Sequence, residues 1–407
     1  MSSFLSWLDY DAAARERAMR ILSLFNVSES RDELGIGAIR DTIADRLFPG
    51  TSTIQTRLRY MLIVPWTYRL LEEQRVPAAK FAVRADQDER LLIKVLLATD
   101  EKRVFGREAG VKLKRLPSSV YWAGLGAWGI RRFSGSQSDY YRQIDQLYLS
   151  QGRRRKKEDE DSDPDPESNA WHPRLPTVPE GFPAQLDLQV TPDEASFLAD
   201  RIGNSCKGSL LDWLVKHGKP DDCAEPWLHM QFANFPEPMR HLLQHARLFC
   251  DIVEGAARLY NVSLADLQIE QSKPTGNTFA EARRDEHESA LEEWRERVDW
   301  AALKAWSLDD FWSETVERGH DITPGVRAFI TAWLARLLDT EGLVRDDREA
   351  RNLVRSREMK LKGSSSRFTN KEALGQWGGN SGTGRNNFRW GVARDFLVDL
   401  YPALGRS

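Results

Sequence analysis

Cysteine is scarce in this chain: three in 407 residues, Cys206, Cys223 and Cys250, none of them in a Cys-x-x-Cys pair. So sparse a set excludes a disulfide framework and fits a reducing cytoplasm. No apolar run approaches the roughly 20 residues a membrane helix needs, the best being Met61-Leu-Ile-Val-Pro-Trp. The start, Met1-Ser-Ser-Phe-Leu-Ser-Trp-Leu-Asp, has no basic flank, so no secretory signal is expected. Also missing are a Gly-x-Ser-x-Gly elbow, a Walker loop and the strand with Gly-rich turn that would seat a dinucleotide. The expectation is a soluble cytoplasmic protein with no membrane contact and no cofactor, and no motif assigns it a reaction.

What is present is globular in balance: 41% hydrophobic, 29% charged and a formal net charge of −3. A length of 407 residues suggests two or three domains. The near-neutral total hides a division, with +5 over residues 1–150, −2 over 151–170, −11 over 171–340 and +5 over 341–407. Basic ends around an acidic middle fit either an anionic partner or a basic segment docked on an acidic one.

Residues 153–170 run from Arg-Arg-Arg-Lys-Lys into an acidic block without an apolar residue before the final Ala, and a Pro-rich stretch follows to Pro183. Such a segment cannot bury a face, so a disordered linker is expected over 151–180. It divides an N-terminal helical domain, 1–150, from an acidic helical domain, 181–340, on which a basic helical segment, 341–407, would pack.

The apolar spacing is mostly helical. Ala14, Ala18, Ile21, Leu22 and Phe25 share a face, as do Ile36, Ile39, Ile43 and Leu47. Ser52 and Gln55 read as a capping box ahead of Leu58, Met61 and Leu62, in a helix that Pro65 should end or kink. Another helix is expected from about Asp88 to Thr99. Thr191-Pro-Asp-Glu and Thr323-Pro-Gly carry helix-start signals, the second leading into an apolar stripe centred on Trp333. A long helix is predicted near 237–261, and only Leu186, Leu188 and Val190 alternate like a strand. The fold class is mainly α, a multi-helix architecture with few or no strands.

The candidate chemistry is electrostatic. Trp377-Gly-Gly-Asn-Ser-Gly-Thr-Gly-Arg concentrates glycines whose backbone N–H groups can cradle an anion, with Arg385 and Arg389 beside it. The plainer reading is a connection between helices, with Trp377, Phe388 and Trp390 packing inward. Upstream, Arg351 and Arg355 share a helical face, and residues 351–407 total +7. Together these make a candidate reader of a phosphate backbone, or a basic face docked on the acidic region.

A second basic cluster sets Lys112, Lys114 and Arg115 before a short helix, with Arg131 and Arg132 after it. That order suits a helix-turn-helix reader, but Tyr121, Trp122, Leu125 and Trp128 suit a buried helix, so contact here would be to phosphates. Ser118 and Ser119 read as an N-cap pair. His241 and His245, four apart on one helical face, have the spacing of zinc ligands but lack the Glu of a metalloprotease helix, and read as ordinary surface or interface histidines with no metal expected.

Four segments, Arg31-Asp-Glu-Leu-Gly-Ile-Gly, Leu47-Phe-Pro-Gly-Thr-Ser-Thr-Ile-Gln-Thr-Arg, Leu116-Pro-Ser-Ser-Val-Tyr-Trp-Ala-Gly-Leu and Trp377-Gly-Gly-Asn-Ser-Gly, resemble a bacterial family known only as a domain of unknown function. The resemblance implies gene neighbourhoods with helicases and phospholipase-D-type nucleases, as in anti-phage islands, and supplies no catalytic residues. The leading expectation is a non-enzymatic accessory protein that binds nucleic acid, or a machine that processes it, with protein partners besides. The alternatives are a metal-dependent nuclease whose carboxylates assemble only in the fold and a scaffold without nucleic-acid contact.

Overall fold

The computed structural model describes residues 32–108, 113–157, 169–273, 276–316 and 320–406. The amphipathic stretch from Ala14 to Phe25 lies outside them. Among the described residues the fold is all-α, with fifteen α-helices, no strand and one isolated bridge between Arg131 and Trp171. In chain order they are α1 (Gly37–Leu47), α2 (Tyr60–Glu73), α3 (Ala78–Leu97), α4 (Pro117–Ala127), α5 (Gln137–Lys157), α6 (Pro192–Ser205), α7 (Leu210–His217), α8 (Glu237–Gln271), α9 (Thr278–Arg297), α10 (Trp300–Ala305), α11 (Leu308–Val316), α12 (Pro324–Thr340), α13 (Arg348–Lys362), α14 (Lys371–Gly375) and α15 (Trp390–Leu400).

The chain forms two compact units, and neither follows the linear plan. One combines residues 45–235 with 389–407; the other combines 236–388 with the segment ending at Ala44. The expected linker is not a divider. Its basic run continues α5 to Lys157, because Arg and Lys are good helix formers and their charge suits a helix C-terminus. Residues 158–168 lie outside the described part. The Pro-rich stretch then packs into the first unit, where Trp171 and Leu175 are buried and the Trp171 indole donates to Glu72 Oε1 at 2.7 Å.

In the first unit, α2 is buried along nearly its whole length, from Tyr60 to Tyr68 and again at Leu71. It therefore stands inside the unit, against α3 and α4. Pro65 sits within this helix without ending it. The residues expected to open it, 51–59, form turns instead: Gln55 Oε1 accepts from the Ser52 backbone at 2.9 Å, but the Ser52 hydroxyl returns no bond, so the box is half made. The last helix, α15, closes the unit through Phe396, whose ring packs on Tyr121 and Trp128, and through Asp399, which receives Arg57 Nε at 3.0 Å. Thr191 does cap α6 with a full capping box, and Leu186 to Val190 form no strand.

In the second unit, α8 runs 35 residues, longer than its periodicity predicted and about 52 Å at 1.5 Å per residue. Helix α9 packs along it, with α12 and α13 against it as well. Two tryptophans bridge to its backbone. Trp294 Nε1 donates to Asp251 O and Trp333 Nε1 to Ile252 O, each at 2.7 Å. The Trp294 ring lies so close to Gly255 that a Cβ there would sit 2.4 Å from it, which is why a glycine stands mid-helix.

Candidate functional site

The candidate cations divide by where the fold puts them. Arg385 and Arg389 turn inward. Arg385 Nη1 lies 2.9 Å from Glu254 Oε2 and Nη2 2.9 Å from Asp251 Oδ1, both acceptors on α8. Asp251 is buried, which raises its pKa, while Arg385 pulls it back down. Arg389, in the left-handed region at φ +68°, pairs with Asp45 and donates to Thr51 O at 3.0 Å. Both guanidiniums are already paired with carboxylates.

The Gly-rich loop is also engaged. The buried Asn261 of α8 receives Trp377 Nε1 at 2.9 Å and the Ser381 N–H at 2.8 Å, and its amide donates to Ser381 O at 2.7 Å. The His287 imidazole meets Gly379 O at 2.7 Å. Gly379 and Gly382, at φ +86° and +70°, let the chain fold back onto these partners. Trp377, Phe388 and Trp390 are buried, so the loop is a fastening between helices and not an open cradle.

Arg351 is half-buried, with Nη1 2.7 Å from Asp266 Oδ2. Arg355 is exposed and lies over the Phe368 ring at 5.8 Å.

The N-terminal cluster divides in the same way. Arg131 is buried, donating to Trp122 O at 3.2 Å and to Gly135 O at 3.1 Å with its guanidinium over the Trp122 ring. Arg132 is exposed. Lys112 lies outside the described residues. Lys114 and Arg115 are exposed on the turn before α4 and meet no carboxylate among the described residues. Leu113, which leads into that turn, and Ile93 of α3 both lie near Gly106. Lys94, next to Ile93, is exposed as well. Helix α4 itself is buried through Tyr121, Trp122, Leu125 and, at its end, Trp128, so it cannot enter a groove. It begins at Pro117 with Leu116 in the cap position, which puts Ser118 inside it; Glu89 Oε2 accepts the Ser118 N–H at 2.8 Å. An anion at this turn would meet side chains, not a vacant helix N-terminus.

One group was only half visible in the sequence. His241 and His245 stand side by side on α8, ring centroids 4.5 Å apart, and Asp310 of α11 reaches both: its Oδ2 is 3.0 Å from His241 Nε2 and 3.5 Å from His245 Nε2. The i, i+4 spacing was the signal. The carboxylate, 65 residues beyond His245, had none. Among the described residues this is where three potential metal ligands converge, and it holds one carboxylate, not the three expected of a nuclease centre.

Two surface grooves complete the inventory. One is lined by Trp213, His217, Lys219, Met230, Gln231 and Asn234, and the other lies between α12 and α13 around Arg336 and Lys360. No described helix is long and apolar enough to cross a membrane. The chain matches the model of DUF6361, a family of unknown function, over residues 1–403, and it belongs to that family. No curated protein and no solved structure matches it.

Proposed function

We propose that this member of DUF6361 is an accessory protein that contacts the phosphate backbone of a nucleic acid through the basic surface of its first unit, centred on Lys114 and Arg115. The observation that carries this reading is the contrast between candidates. Arg385, Arg389 and Arg351 of the C-terminal segment are spent on Asp251, Glu254, Asp45 and Asp266, and the exposed Arg355 lies over the Phe368 ring, whereas Lys114 and Arg115 face solvent with no acidic partner among the described residues. Cations held this way release counterions when they meet phosphates, which favours binding without regard to sequence. The largely buried α4 supports the same reading, because its exposed side chains, Ser119, Ala123 and Ala127, include none of the long polar groups that read base edges. The helicases and phospholipase-D-type nucleases that the sequence resemblance implies as neighbours, in bacterial anti-phage islands, act on such a partner. A mobility-shift assay on duplex DNA and duplex RNA tests the reading. Wild type should bind both, and Lys114→Glu with Arg115→Glu should bind neither comparably.

A further inference from the structure

The clearest chemistry outside the basic surface is the meeting of α8 and α11 in the second unit. We propose that His241, His245 and Asp310 form a binding site for a borderline-soft divalent cation of the zinc class, opposed by Trp306. The proposal goes beyond the nucleic-acid reading and rests on none of its residues.

Two of the three donor spacings suit a tetrahedral metal, and all three ligand atoms lie within 4.8 Å of one another. Ligand atoms bound at 2.0–2.1 Å in a tetrahedron stand about 3.3 Å from one another. The two imidazole nitrogens lie 3.0 and 3.5 Å from Asp310 Oδ2, which brackets that spacing. Two imidazoles and a carboxylate select zinc, cobalt or nickel over magnesium or calcium, which take oxygen donors. Three protein donors leave a fourth position for water or another ligand.

The second observation concerns His245 itself. It is only 4% exposed, and its Nε2 makes no well-formed hydrogen bond: it faces the Asp310 carboxylate at 3.5 Å, the group that would share the ion.

Trp306 opposes the ion through the other nitrogen. Its indole Nε1 donates to His245 Nδ1 at 2.8 Å, which leaves Nδ1 without a proton and puts the proton of the neutral ring on Nε2. A metal on Nε2 reverses that tautomer. The proton moves to Nδ1, two N–H groups then face each other, and the indole must turn away. Ordinary metal sites give the distal nitrogen an acceptor; this one gives it a donor. Occupancy is therefore coupled to the position of Trp306, and the ion has to break one hydrogen bond to enter.

Cobalt(II) titration of the tag-free full chain tests the proposal, with zinc as competitor. Wild type should take one equivalent of cobalt with the visible absorption of a tetrahedral ion, discharged by zinc, and Trp306 fluorescence should change in step. His245→Ala and the more exposed His241→Gln should abolish the band while unaltered circular dichroism shows that α8 persists. Asp310→Asn should weaken binding. Trp306→Phe removes the opposing donor and should tighten binding by roughly fivefold, as loss of one net hydrogen bond implies. A merely structural indole would produce weaker or unchanged binding. The proposal is overturned if wild type takes no cobalt, if His241→Gln binds it as well as wild type, or if Trp306→Phe fails to tighten binding.

Discussion

Arg385 and Asp251 form a buried pair: the guanidinium Nη2 lies 2.9 Å from a carboxylate that is only 6% exposed, and Nη1 reaches Glu254 one turn along the same helix. The acidic character of the middle of the chain and the basic character of its end are thus partly two halves of one contact. Arg385→Glu removes the arginine paired with the buried Asp251 and sets a third carboxylate against it and Glu254, which keeps Arg297. It should cost roughly 3 kcal/mol, at the low end for breaking a buried pair because Arg385 itself is a quarter exposed. Urea unfolding checks this, and an unchanged midpoint would show that the pair is not made.

Trp333 tests the core of the second unit. It is fully buried in α12 and its indole is bonded to Ile252 O at 2.7 Å. Trp333→Ala leaves a cavity and removes the indole hydrogen bond, and should cost about 3 to 5 kcal/mol. A thermal midpoint close to wild type would mean that α12 does not pack on α8.

Glu89 gives the first unit a pH dependence. Its carboxyl is buried, one oxygen taken by the Ser118 N–H and the other without a partner, and burial raises its pKa to about 7. The folded value lies above the unfolded one, so the neutral acid's contribution to stability is fully present below about pH 4.5. It declines as pH rises and is gone above about pH 7. Glu89→Gln keeps the shape and removes the titration. Its stability relative to wild type should rise between about pH 5 and about pH 8, as chemical denaturation at both would show. A constant difference would mean that Glu89 is ionised throughout.

The helices were legible where periodicity and start signals agreed. Thr191 caps α6, and Thr323 with Pro324 opens α12. Boundaries were lost where burial overrode local rules. Pro65 lies inside α2, and α8 continues ten residues past its expected end. The units were not legible at all, because a discontinuous unit is built by contacts such as Arg57 with Asp399, 342 residues apart, which no composition shift announces.

Candidate residues followed the same divide. Sequence can show that Arg385, Arg389 and Arg131 are cations near glycines and turns, but not that Asp251, Asp45 and backbone carbonyls have claimed them. Asp310 escaped notice because only the packing of α11 on α8 brings it to the histidines.

The central claim is that Lys114 and Arg115 meet phosphates while Arg385 holds the fold together. Fluorescence anisotropy of a labelled 20-base-pair duplex, titrated between about 50 and about 200 mM salt, separates the two roles. Wild type should bind with a log–log slope of about −0.9 per phosphate contact. Lys114→Glu with Arg115→Glu should weaken binding and flatten the slope by roughly two units, at unchanged thermal stability. Arg385→Glu, measured where it remains folded, should keep the wild-type slope. Absence of wild-type binding at about 50 mM salt, or a Lys114→Glu, Arg115→Glu variant that binds with the wild-type slope, would contradict the account.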